Sequence, residues 1–133
     1  MKPLRVGIIG AGAVTSTIHL PILTRRRDLF EIAGLYDLNF AAVNSLSERF
    51  AISPEKRFSN INEMLSNATL DAVLVLNSGS HADIVKLALQ AGLEVFCEKP
   101  LAYTKRELHE IHEALRQSKN RLMIGYMKSH DLS

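Results

Sequence analysis

The chain has 133 residues, 47% of them hydrophobic and 23% charged, and a net charge of +2. This length fits one ordinary domain with a buried core, and so small a charge gives no support for binding to nucleic acid or a membrane. A single cysteine excludes an internal disulfide, and no apolar run approaches the roughly 20 residues of a membrane span. The N-terminus has no signal-peptide pattern, so we expect a cytoplasmic protein.

The first predicted element is an apolar strand over residues 6–9, which runs directly into a glycine-rich turn. A helix over 13–27 follows, and Pro21 predicts a kink near Leu20 because its ring clashes with the preceding turn. The basic run 25–27 falls at the end of this helix, where cations complement the helix dipole. This position favours a solvated helix end over a phosphate-binding patch.

The rest of the chain alternates between strand and helix patterns. Further strands are predicted at 30–36, 57–59, 72–76, 93–97 and 121–126. Helices are predicted at 40–50, around 61–65, from 80 to 91, and from 104 onward, the last with Leu108, Ile111, His112 and Leu115 on one face. This alternation predicts right-handed βαβ units, and therefore an α/β protein with a doubly wound parallel sheet of the Rossmann type over 1–133.

Polar residues just before each helix pattern are candidate N-caps. Asp37 or Asn39 begins the helix at 40, and Asn60 or Asn62 begins the next. The remaining two helices start with capping-box patterns, from Ser80 to Asp83 and from Thr104 to Glu107.

The glycine-rich turn fits the first two positions of the dinucleotide-binding pattern G-x-G-x-x-G/A. Gly10 permits a sharp turn between strand and helix, and Gly12 lets a pyrophosphate approach N–H groups at the helix start. Thr15 stands where a third Gly or Ala is usual. We therefore expect either wider packing of the helix or a hydrogen-bond partner for the Thr15 hydroxyl.

Ligands of such sheets bind at the carboxyl ends of the strands. Asp37 ends the second strand, about 20 residues after the glycine turn, where a carboxylate can accept hydrogen bonds from both ribose hydroxyls of an adenosine. No Arg or Lys follows in 38–40 to accommodate a 2′-phosphate, which favours NAD over NADP. A plain helix cap remains the alternative role of Asp37.

Two further strand ends carry polar residues. The fourth strand leads into 77–81, a small polar loop that either contacts a cofactor or only caps the next helix. His81 lies in the first helical turn, where the dipole disfavours an imidazolium, so we expect a neutral, hydrogen-bonding imidazole. The fifth strand leads into Glu98-Lys99-Pro100, where Lys99 offers a point charge with three donors.

This tripeptide resembles the signature of the glucose-fructose oxidoreductase / inositol dehydrogenase (Gfo/Idh/MocA) family. The opening residues 7–12, the segment His19-Leu20-Pro21 and the ending 124–128 resemble the same family, so the resemblance covers essentially the whole chain. It implies an NAD(P)-dependent oxidoreductase that passes hydride between the nicotinamide and a hydroxyl-bearing carbon of a sugar, inositol or related polyol. It also implies that Lys99 lies near the nicotinamide and orients the substrate oxygen.

These arguments give a set of candidate site residues, with Lys99 as the catalytic one. The candidate cofactor-binding residues are Gly10, Gly12, Ala13, Val14, Asp37, Leu38, Asn77, Ser78, His81, Glu98 and Lys99. The family usually has Thr-Pro at the start of the loop that here reads Asn77-Ser78. No metal site is predicted, because His109 and His112 lack further ligands at metal-site spacing, and Cys97 is interpreted as a buried strand residue.

The resemblance also implies a second domain that supplies most of the substrate pocket, and we expect that domain to be absent from this chain. The chain is then either a fragment of a longer enzyme or a free-standing cofactor domain that needs a partner chain. A non-catalytic nucleotide-binding or sensing module is an alternative from another class, and the tripeptide disfavours a methyl-donor-binding domain. The substrate and a homo-oligomeric state are left open, and apolar surface is expected near 123–128.

Overall fold

The computed structural model of the chain describes residues 2–125. Its strands are β1 (Leu4–Ile9), β2 (Phe30–Tyr36), β3 (Arg57–Phe58), β4 (Ala72–Val75), β5 (Glu94–Glu98) and β6 (Leu122–Gly125). Its helices are α1 (Leu20–Arg25), α2 (Phe40–Phe50), α3 (Ile61–Asn67), α4 (Ala82–Gln90) and α5 (Lys105–Gln117).

All six strands form one parallel sheet in the order β3-β2-β1-β4-β5-β6. The chain moves outward from β1 to β3 and then crosses back to place β4 on the other side of β1. This reversal of strand order between β1 and β4 is the point at which doubly wound sheets bind ligands. The predicted Rossmann-type α/β fold is confirmed.

Apolar side chains cover both faces of the central strands, which is why β4 is apolar along its whole length. One buried cluster includes Val73 and Val75 of β4 with Val85 of α4. The other includes Ile8 of β1 and Val43 of α2. The sheet is therefore a rigid support for the loops at its carboxyl edge.

The helix after β1 contains a π-helical turn, Thr15–His19, immediately before α1. The Leu20 N–H donates to the carbonyl of Thr15, five residues back, and Pro21, which has no N–H, occupies the start of α1. The helix is thus irregular just before Leu20, and the kink predicted there from Pro21 stays a prediction. The helix ends at Arg25, slightly before the predicted end.

Three of the predicted caps are present. Asn39 accepts a hydrogen bond from the Ala42 N–H, and Asn60 caps α3 in the same way. Thr104 begins α5 with the full reciprocal capping box.

The capping box predicted from Ser80 to Asp83 is wrong. The N-cap of α4 is His81, and its side chain makes no capping hydrogen bond. The Ser80 hydroxyl instead accepts from the N–H of Ala82 at 3.3 Å. The box is absent because the Ser80 hydroxyl bonds to the N–H of Ala82 and not to that of Asp83, and the helix starts later than predicted.

The exposed surface near β6 and α5 differs in part from the prediction. On α5 the buried residues are Ile111 and Ala114, whereas Leu108 is 52% exposed and His112 is exposed, so the predicted face is wrong at those two positions. Met123 in β6 is 65% exposed, in line with the expected apolar surface, while residues 126–128 lie outside the described residues. None of the helices between residues 2 and 125 has the length and apolar character needed to cross a bilayer.

Candidate dinucleotide-binding site

Gly10 makes the turn at the end of β1 in a conformation that only glycine adopts readily. Its φ is +114°, and a Cβ there would lie 2.6 Å from the backbone nitrogen of Asn77. The Gly10 N–H donates to the carbonyl of Tyr36 at 2.7 Å. The turn after β1 is therefore packed directly between the ends of β2 and β4.

Gly12 is exposed, and a Cβ at this position would have no protein atom within 4 Å. No contact within the protein requires a glycine here, so the space above it is open to a ligand. Gly12 leads into the helix that starts at Ala13, followed by Val14, and the first N–H groups of a helix lack intrahelical partners. With the positive end of the helix dipole at the same place, this cradle fits a phosphate group.

Thr15 is completely buried, and its hydroxyl donates to the carbonyl of Gly10 at 2.6 Å. The sequence predicted either wider packing of the helix or a hydrogen-bond partner for this hydroxyl, and the structure has the hydrogen bond. It ties the first helical turn to the glycine turn, so the departure from the usual Gly or Ala leaves the turn intact.

Asp37 joins the end of β2 to the glycine turn. One carboxylate oxygen, Oδ2, accepts from the Ala11 N–H at 2.7 Å, and the other, Oδ1, accepts from the Asn39 N–H at 2.9 Å. Asn39, and not Asp37, is the N-cap of α2. Each carboxylate oxygen has a second lone pair that can accept from a ribose hydroxyl. Leu38, beside it, is exposed.

His81 points into the protein and is 1% exposed. Its Nε2 is hydrogen-bonded to the carbonyl of Asn77, which can only accept, so Nε2 is the donor in this hydrogen bond. Nδ1 lies 3.0 Å from the sulfur of Cys97. Burial raises the pKa of the Cys97 thiol to about 12, so the thiol keeps its proton, and it donates to the carbonyl of Glu98 at 3.2 Å. The ring thus links the ends of β4 and β5, and a contact with a cofactor stays a prediction.

Asn77 has a buried side-chain oxygen, Oδ1, with no hydrogen-bond partner among the described residues. The side-chain nitrogen donates to the carbonyl of the exposed Ser78 at 3.0 Å. A buried acceptor without a partner costs free energy, and a donor on a bound ligand would remove that cost. The loop after β4 therefore fits a polar ligand at the switch point.

The end of β5 carries Glu98 and Lys99, and the bond from Lys99 to Pro100 is a cis peptide. Glu98 Oε2 lies 3.1 Å from Nε2 of His19, and the two side chains are only 12% and 17% exposed. His19 was not among the predicted site residues. The signal that could have found it was the segment His19-Leu20-Pro21, which took part in the family resemblance.

The described residues thus place the candidates in two groups that meet where Gly10 touches Asn77. One group surrounds the glycine turn and Asp37, and the other lies at the ends of β4 and β5. Within 2–125, no group of three or more His, Cys, Asp or Glu side chains is arranged to hold a metal ion.

The fold and this site define an α/β domain of the kind that binds nicotinamide dinucleotides. The chain belongs to the oxidoreductase family with an NAD-binding Rossmann fold, the Gfo/Idh/MocA family, whose model matches residues 4–126. Members of this family bind NAD or NADP.

Relatives with known names and structures agree with this assignment. Inositol 2-dehydrogenase of Paracoccus denitrificans is 34% identical over 131 residues, which cover 96% of this chain and 38% of that protein. Among solved structures, myo-inositol 2-dehydrogenase from Lactobacillus plantarum superimposes with a TM-score of 0.87 at 25% identity, over 98% of this chain and 38% of that chain.

A 3-ketoreductase from Actinomadura kijaniata, solved in complex with NADP, gives a TM-score of 0.81 at 27% identity, over 98% of this chain and 42% of that chain. The chain thus spans well under half the length of these relatives.

Proposed function

We propose that this chain binds NAD, with the pyrophosphate at the glycine turn and the adenosine ribose on Asp37. The observation that carries the proposal is the glycine turn at the switch point of the sheet, where Gly10 packs against Asn77 and the exposed Gly12 leaves open space at the start of a helix. The carboxylate of Asp37 supports it, because two backbone N–H groups hold that charge beside the same turn.

A preference for NAD over NADP follows from the same carboxylate. A 2′-phosphate next to Asp37 would bring two negative charges together, and neither Leu38 nor Asn39 offers a cation to offset them. The relative solved with NADP shows that members of the family differ in this choice. The preference of this chain for NAD over NADP therefore rests on its own residues at this position.

The reaction that we propose is hydride transfer involving a hydroxyl-bearing carbon of a sugar, inositol or related polyol. Inositol 2-dehydrogenase among the relatives supports this class of substrate. Bound NAD would accept the hydride, while the ammonium group of Lys99 would donate a hydrogen bond to the substrate oxygen and so orient it. His81 and Cys97 support the adjoining loops rather than the substrate, since both are buried.

The remaining groups of such an enzyme would come from other polypeptide. Because the chain covers 38% to 42% of the relatives compared, we propose that the substrate pocket and the proton-transfer groups lie either in the rest of a longer protein or in a partner chain. A cytoplasmic location and a homo-oligomeric state stay predictions. A non-catalytic nucleotide-binding module is the alternative, and it would bind NAD without turnover in any such assembly.

The test is a titration of the 133-residue chain with NADH and with NADPH, followed by the emission of the nicotinamide, since the chain has no tryptophan. We expect saturable binding, tighter for NADH than for NADPH by about tenfold. Asp37→Ser should remove most of this difference, because it removes the charge that repels the 2′-phosphate.

Asp83→Ser is the matched control, since Asp83 is an exposed residue of α4. It should leave both affinities unchanged. Absence of saturable binding of either nucleotide to the wild-type chain would contradict the proposed function. An unchanged preference in Asp37→Ser would contradict only the role given to Asp37.

A further inference from the structure

His19 makes a contact that links two distant parts of the chain. Its Nε2 lies 3.1 Å from Oε2 of Glu98, a residue 79 positions later. Because a carboxylate oxygen accepts, Nε2 is the donor in this hydrogen bond. The centroids of the His19 and Phe96 rings are 5.9 Å apart, so β5 contacts the imidazole through two residues.

The π-helical turn is what places His19 there. His19 is the last residue of that turn, and the turn adds one residue to the hydrogen-bonded ring between Thr15 and Leu20. Such turns occur frequently at functional sites. The His19 side chain is mostly buried, which restricts its freedom and favours a fixed contact with Glu98.

We propose that His19 is a positioning residue for the nicotinamide end of the site. Its hydrogen bond holds the Glu98 carboxylate, and thereby the backbone of Glu98-Lys99-Pro100, at a set distance from the glycine turn at the start of the helix that carries His19. This inference rests on the proposed function, in which the glycine turn holds the pyrophosphate and Lys99 lies near the nicotinamide.

A positioning role of His19 differs from a general structural role in its effect on two ligands. NADH has groups for both ends of the site, whereas ADP-ribose has the adenosine, the pyrophosphate and a ribose but no nicotinamide. Loss of the contact between His19 and Glu98 should lower the affinity for NADH, which binds at both the glycine turn and the nicotinamide end of the site. It should leave the ligand that lacks the nicotinamide almost unaffected.

The experiment measures the affinity of the 133-residue chain for NADH and for ADP-ribose by isothermal titration calorimetry. We expect His19→Leu to weaken NADH binding about fivefold and ADP-ribose binding by less than about twofold. His19→Gln should behave like the wild type, because the side-chain amide can donate to Glu98 from nearly the same place. His112→Leu is the control, since His112 is an exposed histidine of α5.

A second pair of variants tests whether the effect passes through Glu98. In a chain that carries Glu98→Leu, the further change His19→Leu should alter the ratio of the two affinities by less than about twofold, because the contact is already gone. Independent, additive effects of the two changes would overturn the inference.

The other outcomes are also decisive. If His19→Leu lowers the affinities for NADH and ADP-ribose equally, or changes neither, the positioning role is overturned and the proposed function stands. If His19→Gln loses as much NADH affinity as His19→Leu, the positioning role is also overturned, because the hydrogen bond to Glu98 would then not be the cause. A wild-type chain that binds neither ligand would overturn the proposed function and this inference with it.

Discussion

The two halves of the candidate site are built from different kinds of contact. In the glycine-turn half, formed by Gly10, Gly12 and Asp37, backbone N–H groups and one carboxylate face the open end of the sheet. In the other half, at the ends of β4 and β5, paired side chains dominate: His81 with Cys97, and His19 with Glu98.

The two halves of the site therefore depend on different features of the chain. Backbone groups at a turn keep their places as long as the chain can make the turn, so the glycine-turn half depends chiefly on backbone conformation, with one contact between distant segments, from the Ala11 N–H to Asp37. The other half depends on side chains that meet only after the sheet has formed, so its geometry depends on contacts between distant segments. Three substitutions test this contrast, from the largest expected effect to the smallest.

The largest effect is expected where the two halves touch. Gly10→Ala would place a Cβ 2.6 Å from the backbone nitrogen of Asn77, in a residue whose φ is +114°. We expect the free energy of unfolding, measured in urea, to fall by about 3 kcal/mol or more, and NADH binding to be lost.

Gly92→Ala is the control for Gly10→Ala. Gly92 also has a positive φ, +81°, but a Cβ there would meet no atom within 4 Å. This variant should lose about 1–2 kcal/mol from the backbone alone and keep its NADH affinity. Equal losses of stability in the two variants would show that the contact with Asn77 is not what restricts position 10.

A smaller and more selective effect is expected from Gly12→Ala. Because a Cβ at Gly12 has open space around it, the free energy of unfolding should change by less than about 1 kcal/mol. NADH affinity should nevertheless fall about tenfold, since the methyl group would occupy the place of the pyrophosphate. Calorimetry and urea unfolding on the same samples separate the two results. Unchanged affinity would mean that the phosphates lie elsewhere.

The smallest effect on binding is expected from Lys99→Ala. If Lys99 acts on the substrate oxygen, its loss should change the NADH affinity of this chain by less than about threefold. In an assembly that turns over substrate, the same change should abolish turnover. A large loss of NADH affinity would instead place Lys99 among the groups that hold the cofactor. Cofactor binding would then depend on side chains at the end of β5 as well as on the glycine turn.

Much of the fold could be predicted because it is encoded locally. The strand-turn-helix sequence around Gly10, the caps at Asn39 and Asn60 and the capping box at Thr104 each depend on residues within a few positions of one another. The cap at Ser80 was mispredicted for the opposite reason. His81 is the N-cap of α4, and its ring contacts Cys97 of β5, 16 residues later in the chain.

The class of fold, the glycine turn and the acidic residue beside it could all be predicted from the sequence, because periodicity, glycine conformation and helix capping act over short stretches of chain. The tertiary structure alone decided how the carboxyl ends of the strands are joined. The bonds from Asp37 to Ala11 and from His19 to Glu98 connect residues 26 and 79 positions apart. The hydrophobic pattern of the sequence predicts which residues are buried. The hydrogen-bond partner of each buried polar group, however, depends on which strands become neighbours in the sheet.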